Sequence, residues 1–159
     1  MGRLTIEGVL PTFTFSKKEL SFLISVAYFI SGHGYGHMVR SCQVIRRLRE
    51  ACPDLQFHVK STAPYRFLRD LPFPVSYENR AVDVGIVQKD SLEMSVEETL
   101  HACRNLHERM PALMEEELAY IKRERIRLIL GDIPPLCFEI AARAAIPSVA
   151  IGNFTWNWI

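Results

Sequence analysis

The join between a nearly continuous apolar run, Leu23 to Ser31, and the loop Gly32-His33-Gly34-Tyr35-Gly36-His37 limits this chain more than any other feature. An apolar run without alternation is the pattern of a strand buried on both faces, and such strands belong to parallel sheets covered by helices. Three glycines at alternate positions then allow a sharp turn. Beyond it Val39, Cys42, Ile45 and Leu48 recur every third residue, with Arg40, Arg46, Arg47 and Glu50 between them. That spacing predicts a helix with one buried face, ended by Pro53.

The strand and helix patterns keep alternating. Gln56 to Ser61 reads as a second strand, Tyr65 to Leu71 as a short helix and Val75 to Glu78 as a third strand, whereas Arg80 to Asp90 has no clear period and reads as a loop. Ser95 and Glu98 form a capping box. They precede Val96, Leu100, Cys103, Leu106, Met110, Leu113 and Ile121, the apolar face of a long helix ending near Arg123. Pro111 should kink or split that helix. Arg127 to Gly131 is a buried strand leading into Asp132. Pro134 and Pro135 suit the first turn of another helix, with Phe138, Ala141 and Ala145 facing inward; Pro147 stops it, and Ser148 to Gly152 is a fifth strand. The expected fold is α/β, a parallel sheet with helices on both faces and strand order 3-2-1-4-5.

At 159 residues and 48% hydrophobic content the chain supports one core. Residues 1–21 lack periodicity and are expected to be a mobile leader. Residues 22–159 form the domain, expected to be incomplete at its C-terminus because Asn153-Phe154-Thr155-Trp156-Asn157-Trp158-Ile159 follows the fifth strand at once. A net charge of +1, with signs mixed along the chain, argues against nucleic acid or an anionic membrane as partner. Cys42, Cys52, Cys103 and Cys137 have neither disulfide-framework nor zinc-knuckle spacing, so reduced thiols are expected. The longest apolar run, Phe22 to Ile30, is about half of what a bilayer requires, so no transmembrane segment is expected and a cytoplasmic location is the default.

The glycine loop leaves backbone amides uncovered at a helix start, where the dipole favours a phosphate, a carboxylate or a polarised hydroxyl. A nicotinamide fingerprint would place its third glycine where His37 stands and an acid at the end of the second strand, where Lys60-Ser61-Thr62 is found. The P-loop ending Gly-Lys-Ser/Thr is missing too, and the loop calls for no cofactor. One reading gives the glycines only a tight turn, and His33 and His37 only the backbone; two histidines at the carboxyl end of a first strand nevertheless make a candidate site. A metal pair would need further ligands, so no metal is assigned. Asp132, at the carboxyl end of the fourth strand, is either a helix N-cap or the partner of an imidazole.

The run Tyr28 to Arg40 (YFISGHGYGHMVR), followed in order by Asp83 to Asp90 (DVGIVQKD), Gly131 to Pro135 (GDIPP) and Asn153 to Trp158 (NFTWNW), resembles the N-terminal domain of plant L-arabinokinases and related bacterial glycosyltransferase-like proteins. Gly36-His37 at a helix start more distantly resembles the Gly-His of GT-B glycosyltransferases. The resemblance implies the Rossmann-like, acceptor-side N-terminal half of a GT-B architecture. It also implies His37 as general base and Asp132 as its orienting carboxylate, with Gly32, His33, Gly34, Tyr35, Gly36, Asn153 and Trp156 holding substrate. The implied partner is a sugar or glycosylated small-molecule acceptor, with a nucleotide sugar bound only by a further C-terminal domain, without which the chain would be inactive. The alternative is a noncatalytic sugar- or nucleotide-sensing domain that regulates a fused or partner sugar kinase.

Overall fold

The computed structural model describes residues 24–90 and 93–152. The expected leader, 1–21, and the segment with Asn153 and Trp156 lie outside the described residues. Among the described residues nine elements alternate: β1 (Ile24–Ile30), α1 (Tyr35–Ala51), β2 (Leu55–Ser61), α2 (Arg66–Arg69), β3 (Ser76–Asn79), α3 (Val96–Arg123), β4 (Ile126–Asp132), α4 (Leu136–Ala144) and β5 (Ser148–Ile151). The strands form one parallel sheet in the expected order β3-β2-β1-β4-β5.

The unbroken apolar run has its reason in this sheet. Alternate residues of β1 point to opposite faces, and a helical layer covers each. Val26, Tyr28 and Ile30 join Phe57, Val59 and Leu130 beneath Met38, Cys42 and Ile45 of α1. Ala27 and Phe29 join Ile129 beneath Leu113, Met114 and Ile121 of α3 and Ile140 and Ala141 of α4. Each fully buried large side chain contributes about 1.5–3 kcal/mol, so β1, buried from Ser25 to Ile30, is the centre of the molecule.

Three local expectations need correction. Of the kink or split expected at Pro111, the split does not occur: α3 runs through it from Val96 to Arg123, forgoing one backbone bond. Ser95 does cap it, accepting from the Glu98 amide at 3.3 Å. The apolar face of α3 is buried only in its second half, at Leu113, Met114 and Ile121, whereas Val96 and Leu100 are 71% and 61% exposed and Cys103 is exposed too. Length explains this. Twenty-eight residues of helix span about 42 Å, whereas the seven of β4 reach about 23 Å, so the first half of α3 overhangs the carboxyl edge. Finally, Ala145 is exposed and does not face inward. It is the C-cap of α4, in the left-handed conformation at φ 53°, and the buried face is Leu136, Cys137, Ile140 and Ala141.

The loop after β3 is held at its far end. Gln88 bridges Met94, and the Ser95 amide donates to the Val87 carbonyl at 2.8 Å. No helix among the described residues is long and apolar enough to cross a membrane.

Candidate active site

Asp132 ends β4 in register with Ile30 of β1, so the carboxyl ends of the two central strands stand side by side. Strand alternation turns its side chain, like that of Leu130, toward α1. There it meets the first turns of that helix. His37, Arg40 and Ser41 occupy positions i, i+3 and i+4 and therefore share one helix face.

The carboxylate is fully buried and its acceptor capacity is well used. Oδ1 lies 2.9 Å from His37 Nδ1 and accepts from Arg40 Nη2 at 2.5 Å; Oδ2 accepts from Arg40 Nε at 3.1 Å and from Ser41 Oγ at 3.0 Å. Hydrogen bonding to Asp132 raises the Arg40 guanidinium above its ordinary value, so Arg40 stands against the carboxylate as a cation. A carboxylate only accepts, so the 2.9 Å contact is a hydrogen bond when Nδ1 carries the imidazole proton, which leaves the Nε2 lone pair of His37 for another partner; Arg40 Nη2 also lies 3.3 Å from that Nδ1. His37 is 30% exposed. Beneath the group lies Tyr28, whose hydroxyl burial pushes well above the usual phenol range, so the floor of the site is neutral.

The N-cap of α4 is Pro135, with no side-chain cap bond, and the Asp132 carboxylate instead meets His37, Arg40 and Ser41 of α1. Arg40 and Ser41 were absent from the sequence-derived site. Their only signal was the i+3 and i+4 offset from His37.

Gly34 is the N-cap of α1 with φ 74°, a left-handed conformation that only glycine adopts without strain. The first turn of α1 holds no acidic residue, and a Cβ added at Gly34 or Gly36 would meet no atom within 4 Å. The space above the helix start is therefore open. Tyr35 flanks it, exposed, with its ring 5.1 Å from Phe67 and beneath the Arg66 guanidinium. His33 does not join the His37–Asp132 pair; its Nε2 lies 3.7 Å from Asp83. Gly32 abuts Thr62 at the end of β2. Ile133, directly after Asp132, has φ 82°, and for a β-branched residue that is strain, of order 1–3 kcal/mol, held in place by the structure around it. No group of three or more potential metal ligands occurs among the described residues.

No family model matches the chain. Its sequence is 30% identical over 153 residues to the L-arabinokinase of Arabidopsis thaliana, a match covering 91% of this chain and 14% of that protein. The chain thus spans only a small part of that curated relative. Among solved structures, MurG of Acinetobacter baumannii superposes with a TM-score of 0.53 at 15% identity, covering 81% of this chain and 35% of that one. A UGT transferase from Siraitia grosvenorii in complex with UDP gives 0.52 at 15% identity, covering 80% and 27%. The C-terminal domain of the PF1911 hydrogenase of Pyrococcus furiosus gives 0.51 at 11% identity, covering 82% and 92%. Such identities speak to the fold alone. The resemblance to the L-arabinokinase N-terminal region holds, and the fold is the Rossmann-like α/β arrangement found in GT-B glycosyltransferases.

Proposed function

We propose that this chain is the acceptor-binding domain of a nucleotide-sugar-dependent glycosyltransferase, with His37 as general base and Asp132 as the group that orients it. The observation that carries this reading is the 2.9 Å contact between His37 Nδ1 and Asp132 at the carboxyl edge, which leaves Nε2 for a hydroxyl. In the proposed step Nε2 takes the proton of an acceptor hydroxyl as its oxygen attacks the anomeric carbon, and the nucleoside diphosphate departs from the opposite side with inversion. Asp132 keeps the imidazole in the required tautomer and offsets its charge. The exposed amides after Gly34 and the Tyr35 side chain border the acceptor.

In this reading the sugar nucleotide is held by a second domain; the transferase of similar fold is in complex with UDP, and this chain covers 27% of it. The 159 residues alone then transfer nothing. The test is sugar-nucleotide turnover by the longer parent protein: His37→Ala is expected to lower it by about 10²–10⁴-fold while the protein remains folded, and full turnover in that variant refutes the assignment.

One observation favours the alternative, a noncatalytic domain that senses a sugar or nucleotide beside a kinase. Arg40 already neutralises Asp132, which reduces the carboxylate's power to stabilise an imidazolium. The similarity to a protein named L-arabinokinase agrees with it. Saturable sugar binding by the parent without any turnover would decide for this alternative.

A further inference from the structure

The carboxyl edge carries a second imidazole–carboxylate pair, built from the segment after β3 that the sequence marked as Asp83-Val84-Gly85. Val82 is buried in the core beneath α3 and α4, anchoring the segment. Asp83 is 13% exposed. It sits beside the first turn of α4, where burial pushes the Cys137 thiol up to about 12 and the Asp83 charge adds to the effect. Its Oδ1 faces His33 Nε2 at 3.7 Å. A Cβ on Gly85 would fall onto the His33 ring at Cγ, Nδ1 and Cδ2, so the backbone of Gly85 packs against the ring and no larger residue leaves room for it. The opposite side of the loop rests on Thr62, through Gly32. The His33 amide donates to Ser31 Oγ at 3.4 Å.

The two pairs use opposite ring nitrogens. His37 gives Nδ1 to its carboxylate and has Nε2 left; His33 turns Nε2 to its carboxylate, which leaves Nδ1. We propose that Asp83 is a positioning residue that holds His33 with Nε2–H toward the carboxylate, so that Nδ1 accepts from a second hydroxyl of the ligand bound at His37. Gly85 is the notch that admits the ring. The 3.7 Å separation closes to a hydrogen bond with a small side-chain rotation, and His33, 44% exposed, remains accessible to a ligand. Two imidazole acceptors on one loop select a polyhydroxylated compound over one with a single hydroxyl, because each unmatched acceptor would be desolvated without compensation. This rests on the hydroxyl-acceptor reading of His37 given above.

Ring-nitrogen spectra of the ¹⁵N-labelled chain test the proposal without a substrate. In the wild type the two His33 resonances are expected at the widely separated positions of a fixed Nε2–H tautomer. Asp83→Ala should draw them together toward the values of free imidazole, Asp83→Glu should restore the separation, and Gly85→Ala should shift both, each with the His37 resonances unmoved. Identical His33 resonances in the wild type and Asp83→Ala, or a proton on Nδ1, overturn the proposal. Titration with methyl α-D-glucopyranoside then separates it from the reading it rests on. Movement at both His37 Nε2 and His33 Nδ1 supports both; movement at His37 alone rejects the role of His33; silence at both rejects the hydroxyl-acceptor reading, and this inference falls with it.

Discussion

Asp132 holds its charge out of water only because Arg40, His37 and Ser41 converge on it, and its partners are not equivalent. Arg40 alone supplies a full opposite charge, through two bonds to the two carboxylate oxygens. Removing it leaves a buried anion with one imidazole and one hydroxyl. Such a loss costs about 3–5 kcal/mol, so Arg40→Ala is expected to lower the urea midpoint far more than Ser41→Ala, which removes one bond worth about 1–3 kcal/mol; equal midpoints for the two variants contradict the account. His58 adds a pH dependence. Its side chain is buried, with Nδ1 at 2.8 Å from the Tyr120 hydroxyl. Burial lowers its pKa below the ordinary 6.5, with Lys60 adding to the shift and Glu124 opposing it. A depressed folded value means that the unfolded chain takes up this proton first. The contribution of His58 is therefore whole above about 6.5 and is lost as pH falls below it. Stability measured from pH 7.5 down to 5 should decline less steeply in His58→Phe than in the wild type.

At the scale of elements, the sequence showed the sheet because β1 and β4 are buried on both faces, and burial of that kind leaves an unmistakable apolar run. It showed His37 and Asp132 as candidates because each follows a strand at the edge where such sheets carry ligands. It did not show Arg40, since an arginine between apolar positions of an amphipathic helix reads as a solvated face. Nor did it show the ion cluster between β2, β3 and α3. Lys60 is 1% exposed, with Nζ 2.6 Å from Glu78, 3.0 Å from the fully buried Glu117 and 3.5 Å from the centre of the Tyr120 ring. Arg80 reaches Glu117 at 3.2 Å. Lys60 lies between buried residues of a strand and Glu117 on the buried face of a helix 57 residues later, a pairing that only the assembled sheet creates. Lys60→Met is expected to destabilise the fold by about 3 kcal/mol or more, whereas Lys60→Met combined with Glu117→Leu should recover most of that loss, because the costly species is the single charge left behind. Thermal unfolding of the two variants decides it; a double variant less stable than the single one is incompatible with this account.

For the molecule as a whole, stability is expected to vary along α3. Amides of its second half, over the buried Leu113, Met114 and Ile121, should exchange hydrogen near the global unfolding rate. Those around Val96 to Cys103, which lie on no core, should exchange orders of magnitude faster; uniform protection along the helix would disagree with the overhang. That unequal support makes α3 a cantilever, clamped at the sheet and loaded at its tip. The load is the segment after β3, tied on by the Val87 amide to Thr99 Oγ1 at 3.0 Å and by the Ser95 amide to the Val87 carbonyl at 2.8 Å. A tilt of about 5° at the clamp displaces a tip about 25 Å away by roughly 2 Å. Repacking beneath Leu113 and Met114 too small to disturb the sheet would thus be amplified along the beam and delivered to the loop at Val87, far from where the volume changed.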